Sequence, residues 1–231
     1  MKIYAISDLH LTSGTNKPMN IFGEGWTEHW DKIRKDWMEK VSDNDIVLIA
    51  GDISWGMNIS EAMNDLKEIS VLPGGKIIIR GNHDYWWSTY KKLINLNLPT
   101  VNFLQNNAIK IENYIFCGTR GWTVPEGDSQ NAENKKIFER EIIRLKLSLD
   151  KAVELKGDSD DEIIALIHYP PFNSKYERSA FTDMFSDYGI KKVIYGHLHG
   201  HQSRFKNKVL IDKTEYYLTS CDFLNNKLLE L

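Results

Sequence analysis

Five strand-sized apolar runs in this chain each break off at residues able to ligate a metal. Ile3–Ile6 leads into Asp8-Leu9-His10, Ile46–Ala50 into Gly51-Asp52, and Ile77–Arg80 into Gly81-Asn82-His83-Asp84. Ile163–Ile167 leads into His168, and Val193–Tyr195 into Gly196-His197-Leu198-His199. Short continuous apolar runs suit strands buried on both faces. Where such strands alternate with helical patterns, βαβ units and an α/β fold are expected. In open α/β sheets the carboxyl ends of the strands converge on one crevice. Five segments far apart in sequence should therefore bring Asp, His and Asn side chains to one place.

The remaining patterns fill in the helices. Trp30, Ile33, Trp37 and Val41 recur at helical spacing and predict a helix over Thr27–Val41. Ser60 reads as the cap of a helix reaching Val71, stopped by Pro73-Gly74-Gly75. Further helices are predicted over Trp87–Leu96, Asn131–Lys156 and Ala180–Tyr188, the long one with a charged, solvated face. Strands are predicted over Lys2–Ser7, Asp45–Ala50, Lys76–Arg80, Glu162–Ile167 and Lys191–Tyr195. Val101–Leu104, Ala108–Glu112 and Tyr114–Gly118 suggest a meander or hairpin, and residues 202–231 suggest β-ribbons. No repeat or linker interrupts the chain, so one domain over residues 1–231 is expected.

Composition removes several classes of function. Lys and Arg number 29 against 32 Asp and Glu, a formal charge of -3 without a basic block. The electrostatic footprint of an obligate nucleic-acid partner is missing. No apolar run approaches the roughly 20 residues of a membrane span. Only four apolar residues separate Lys2 from Ser7-Asp8, too few for a secretory signal. Cys117 and Cys221 form no C-x-x-C motif, so packed thiols in a reducing, cytoplasmic setting are expected. Composition does not set the oligomeric state.

The polar residues carry the chemistry. Asp8 and His10, two apart, would point the same way from an extended segment, and His197 and His199 likewise. Gly51, Gly81 and Gly196 precede ligands, where a missing Cβ permits a close approach. Each of these residues alone is commonplace in turns, caps and satisfied cores. Together they make a donor set of imidazole, carboxylate and amide oxygen without thiolate, which suits Mn, Fe, Zn or Ni. Two carboxylates and several imidazoles exceed one tetrahedral ion, so a bridged pair is expected.

The series Asp8-x-His10, Gly51-Asp52, Gly81-Asn82-His83-Asp84, His168 and Gly196-His197-x-His199 resembles the signature of the calcineurin-like metallophosphoesterases, in the family's order. Tyr169-Pro170-Pro171 fits the family's usual continuation. The resemblance implies a four-layer α/β/β/α sandwich with two central mixed sheets and the metal centre at the strand C-terminal ends. It implies Asp8, His10 and His199 on one of two divalent ions. Asn82, His168 and His197 would hold the other, with Asp52 bridging. His83 would be the non-ligand catalytic histidine, oriented by Asp84.

The activity expected on these grounds is hydrolysis of a small-molecule phosphomonoester or phosphodiester. Hydroxide generated between the ions attacks phosphorus, and His83 protonates the leaving alkoxide. Nucleotide or nucleotide-lipid pyrophosphate hydrolysis is an alternative within the enzymes. A catalytically silent scaffold is the alternative outside them, and the intact ligand set with His83 argues against it. Trp55, Trp86 and Trp122 fall on loops, where stacking a substrate and anchoring the loop are the two readings. Arg120 is a candidate phosphate clamp, with Arg80 and Arg204 as competitors. His201 extends the His197-His199 series toward a rim position, and His29 reads as a solvated helix residue.

Overall fold

The computed structural model describes residues 1–15, 17–126, 132–200 and 206–231. The chain opens with β1 (Ile3–Ile6) and two short 3-10 turns at 19–22 and 24–26. Next come α1 (His29–Lys40), β2 (Ile46–Ile49), α2 (Ile59–Ser70), β3 (Gly75–Ile78), α3 (Tyr90–Ile94) and β4 (Val101–Phe103). A second series runs β5 (Ala108–Ile111), β6 (Tyr114–Thr119), α4 (Ala132–Lys156), β7 (Glu162–Ile167), α5 (Ala180–Asp187) and β8 (Lys192–Tyr195). β9 (Lys208–Ile211), β10 (Thr214–Leu218) and β11 (Leu229–Glu230) complete it.

The strands form two mixed sheets, ordered β11-β1-β2-β3-β4 and β5-β6-β7-β8-β10-β9. In the first, β1 to β4 are parallel and β11 joins the edge antiparallel. In the second, β6, β7, β8 and β10 are parallel, flanked by antiparallel β5 and β9. Strand alternation sorts the core into layers. Ile3, Ala5, Leu48, Ile77, Ile164 and Leu166 fill the space between the sheets. Tyr4 and Ile6 turn instead toward Ile33 and Trp37 of α1 and Leu66 of α2. Ala165 and Ile167 turn toward Leu145 and Leu149 of α4 and Phe181 of α5. This is the α/β/β/α sandwich.

Some local expectations need correction. The α2 cap is Asn58, whose side chain accepts the Glu61 amide at 3.1 Å. Ser60 lies inside the helix. The three short strands after α3 are not one meander. β4 ends the first sheet, the chain crosses over, and β5 and β6 form a hairpin at the edge of the second. Glu141 lies on the charged helix α4 yet is fully buried, which the reading of that face as solvated missed. Both cysteines are free and buried. Among the described residues, no helix is long and apolar enough to cross a membrane.

The parallel direction of β1–β3 and β6–β8 brings their C-terminal loops to one side of the molecule. Ser7 bonds across to the second sheet, its amide to Thr219 O at 2.8 Å and its carbonyl from Cys221 N at 3.0 Å. Gly196 N likewise meets His168 O at 3.1 Å. These bridges fix the loops beneath the centre.

Candidate metal centre

The loops reach the centre through strained backbone. Asp8, His10, Asp52 and His197 have φ of 57°, 45°, 53° and 71°. This left-handed conformation costs a non-glycine residue about 1–2 kcal/mol. The extended geometry expected for Asp8-Leu9-His10 and His197-Leu198-His199 is therefore incorrect: turns aim these side chains. Backbone bonds hold the turns, Asp8 N to Gly51 O at 2.9 Å and His10 N to Asp52 O at 3.0 Å. Gly51, Gly81 and Gly196 are each required by contact, Gly51 because its Cβ would fall on the His168 ring and the Gly81 backbone. A Cβ at Gly81 would fall on Asp52 Oδ1, and one at Gly196 on Asp8 Oδ2.

The seven side chains converge. Asp8, His10 and His199 place one ligating atom each within 4.8 Å of one another, and so do Asp8, Asp52 and His168. His10 Nε2 and His199 Nε2 are 3.4 Å apart. Asp52 Oδ2 lies between His10 Nε2 at 3.7 Å and His168 Nε2 at 3.5 Å. Asn82 Oδ1 lies 2.7 Å from His168 Nε2 and 2.8 Å from His197 Nδ1.

Several of these contacts set potential ligating atoms face to face. His168 Nδ1 donates to Ala50 O at 2.8 Å, which leaves Nε2 with a lone pair facing Asn82 Oδ1. His199 Nδ1 faces Asp222 Oδ1 at 3.1 Å, leaving Nε2 toward Asp8 Oδ1 at 3.5 Å. A bound cation is what such converging lone pairs satisfy, and the second partners are those that orient ligating imidazoles.

Burial and mutual charge shift these groups in opposite directions. Burial pulls His10 down to about 3. Burial, then the charge on His168, pulls His197 down to about 4. Burial disfavours an ionised Asp8, but hydrogen bonding to His199 and the charges on His199, His168 and His10 outweigh it and lower its pKa. Asp52 is pushed up to about 7 by burial and by the charges of Asp8 and Asp84, against the pull of His168. Burial disfavours a charged His199, yet hydrogen bonds to Asp222 and Asp8 raise it to about 10. Crowded carboxylates of this kind are relieved by positive charge between them. The residues present fit divalent metals.

His83 stands beside this group without joining it. Its amide donates to Asp52 Oδ1 at 2.7 Å, while its ring Nδ1 is buried without a partner. The ring centroid lies 5.5 Å from His10 and 4.5 Å from Trp55. Asp84 does not orient the His83 ring. Its carboxylate accepts the amides of Gly81, Asp52, Ile53 and Ser54 and the Trp86 indole at 2.7 to 3.3 Å, fixing two ligand loops.

The aromatic candidates separate. Trp55 is at the site, stacked on His10 at 5.0 Å with its indole donating to Met19 Sδ. Trp122 lines a cavity of about 690 Å³ that also reaches His197. Trp86 is 2% exposed in the core and cannot stack a ligand. Arg120 turns away: its guanidinium meets Glu141 at 3.4 Å and lies over Trp122. His201 and Arg204 lie outside the described residues. His29 is not solvated. It is buried, with Nε2 2.8 Å from Leu9 O and Nδ1 3.2 Å from Trp26 O.

Two residues at the centre carry no sequence signal that singled them out, and a third carried only a weak one. Asp222 bonds His199 and the Gly200 amide. Trp26 sits edge-on to His10 at 5.6 Å. Tyr169 packs on His197 at 4.2 Å; only its place after His168 pointed to it.

A four-layer sandwich with Asp, His and Asn converging at the ends of its parallel strands is the architecture of a metal-dependent phosphoesterase. The sequence profile described as calcineurin-like phosphoesterase matches residues 1–201, and the chain belongs to that family. Among solved structures, it is similar to TT1561 of Thermus thermophilus, with 15% identity over 99% of this chain and 97% of that one and a TM-score of 0.60. It is also similar to AQ665 of Aquifex aeolicus, described as a protein of unknown function. Identity there is 13% over 99% and 95% of the two chains, with a TM-score of 0.53. At these identities the likeness is one of fold. No curated protein matches the chain.

Proposed function

We propose that this chain hydrolyses small-molecule phosphate esters at a dinuclear centre. Asp8, His10 and His199 would hold one divalent ion and Asn82, His168 and His197 the other, with Asp52 between. The observation that carries this reading is the meeting of Asp52 Oδ2 with His10 Nε2 and His168 Nε2, at 3.7 and 3.5 Å. Ions of this kind supply Lewis acidity toward phosphoryl oxygens and lower the pKa of water.

The chain's own residues do the rest. Ser7 and Ser220 donate to Asp8 Oδ2 at 2.5 and 2.9 Å, holding that carboxylate in place. His83 has a ring free of ligand duty, with its Nδ1 buried and without a partner among the described residues. We assign it delivery of a proton to the leaving alkoxide. The 690 Å³ cavity bounded by Trp122, Tyr169, Phe172, Tyr176 and His197 has the size of a small-molecule site and would take the ester's organic part.

The test is hydrolysis of bis(p-nitrophenyl) phosphate and p-nitrophenyl phosphate by protein supplied with Mn, with and without chelator. Turnover abolished by chelator is expected. Absence of turnover on both esters under Mn, Fe, Zn and Ni would overturn the proposal.

A further inference from the structure

Beyond the ends of β3 and β6, against α4, lies a small cavity of about 60 Å³ lined by none of the candidate metal ligands. Its walls carry three guanidinium groups, Arg80, Arg120 and Arg144, and one carboxylate, Glu141. Glu141 is shared three ways. It accepts Thr119 Oγ1 at 2.7 Å, Arg144 Nη1 at 2.6 Å and Arg120 Nη2 at 3.4 Å. Arg80 gets nothing from it. The Nε atoms of both Arg80 and Arg120 are buried without a hydrogen-bond partner among the described residues.

A guanidinium does not shed its proton at physiological pH, so these charges persist. Three positive charges against one negative leave a surplus of two in a half-buried place. Burial lowers the Arg120 pKa, and the charges of Arg80 and Arg144 push the same way against the pull of Glu141. Unpaired buried charge and unsatisfied buried N–H groups are costly, and an anion removes both costs. Guanidinium forks match tetrahedral oxyanions bidentately. A cavity of about 60 Å³ has room for a single oxyanion.

We propose that this cavity binds one tetrahedral oxyanion of the phosphate class, separate from the metal centre. The ligand is a free ion or the phosphate end of a larger molecule whose remainder stays outside. The site adjoins two ligand loops. Arg80 stands two residues before Asn82, and the Arg120 carbonyl accepts the amides of His168 and Tyr169 at 3.0 Å each. The proposal does not depend on turnover at the centre.

The test is calorimetric titration of the metal-loaded protein, and of the same protein under chelator, with inorganic phosphate and with glycerol 3-phosphate. We expect one equivalent of phosphate to bind under chelator and to raise Tm, with any binding at the metal centre added to it in the loaded protein. Arg80→Gln and Arg144→Gln should each weaken binding at least tenfold. Equal binding of glycerol 3-phosphate under chelator would assign the cavity to phosphate ends, and binding of phosphate alone to the free ion; either supports the site. In phosphate-free buffer, Arg80→Gln should leave Tm unchanged or raise it, because it relieves repulsion. Phosphate binding that chelator abolishes, binding unaffected by Arg80→Gln, or a lowered Tm of that variant without phosphate would each overturn the proposal.

Discussion

The carboxylate of Asp84 accepts the backbone amide of Asp52 at 2.9 Å, joining the loop after β3 to the loop after β2. Four amides and one indole converge on it, so an acceptor-only side chain is required. In Asp84→Asn, an NH₂ group would face those N–H donors. Stability should fall by about 2–4 kcal/mol, the scale of lost hydrogen bonds to a buried charged group. Metal content should fall with it, because Asp52 and Asn82 lose their common support. Urea denaturation and elemental analysis of the purified variant check both.

His83 is expected to separate from the ligands in its phenotype. His83→Ala should keep full metal content while kcat drops ~100- to 10,000-fold, the usual range for a lost general acid. Metal analysis beside steady-state kinetics on esters of differing leaving-group pKa decides it. The loss should be smallest for the most acidic leaving group. Wild-type rates on several esters would remove the assignment.

His29 supports the Asp8-His10 turn from behind, through Leu9 O at 2.8 Å. His29→Ala leaves the buried Leu9 carbonyl without its imidazole partner. A stability loss of about 1–3 kcal/mol is expected. The affinity for metal should weaken by about tenfold, as when supports behind ligands are removed. Thermal melts and chelator competition measure the two effects.

The chain's own order made much of this centre legible. Apolar runs ending at Asp8, Asp52, Asn82, His168 and His197 fix the strands and the side of the sheets on which those residues emerge. Conformation was less accessible, since nothing in Asp8-Leu9-His10 distinguishes an extended segment from a turn with two left-handed residues. Partners from distant elements were hidden altogether. Asp222 meets His199 only because β10 lies beside β8 in the sheet. The direction of Arg120 is set by Glu141, an acidic residue on a highly charged helix, and Trp86 is drawn into the core by its bond to Asp84.

Away from the centre, Lys76 gives a pH-dependent stability. Its ammonium is fully buried, donates to Leu72 O and Thr100 Oγ1, and has its pKa pushed by burial down to about 8 from 10.5. Between those values the unfolded chain binds the proton that the folded one releases, so this contribution rises with pH across the window and is absent as a slope below about 8. Wild type should gain of order 1–3 kcal/mol relative to Lys76→Met between pH 8 and 10.5. Paired urea titrations across that range check the difference.

Asp52 is proposed to join two metal ions into one hydrolytic centre. Elemental analysis of protein dialysed against Mn, paired with its rate of phosphodiester hydrolysis, tests it most directly when repeated on Asp52→Asn. Two ions per chain in the wild type, with metal content and rate falling together in the variant, is the predicted result. A wild type that binds no metal, or an Asp52→Asn variant that keeps both ions and its full rate, would contradict it.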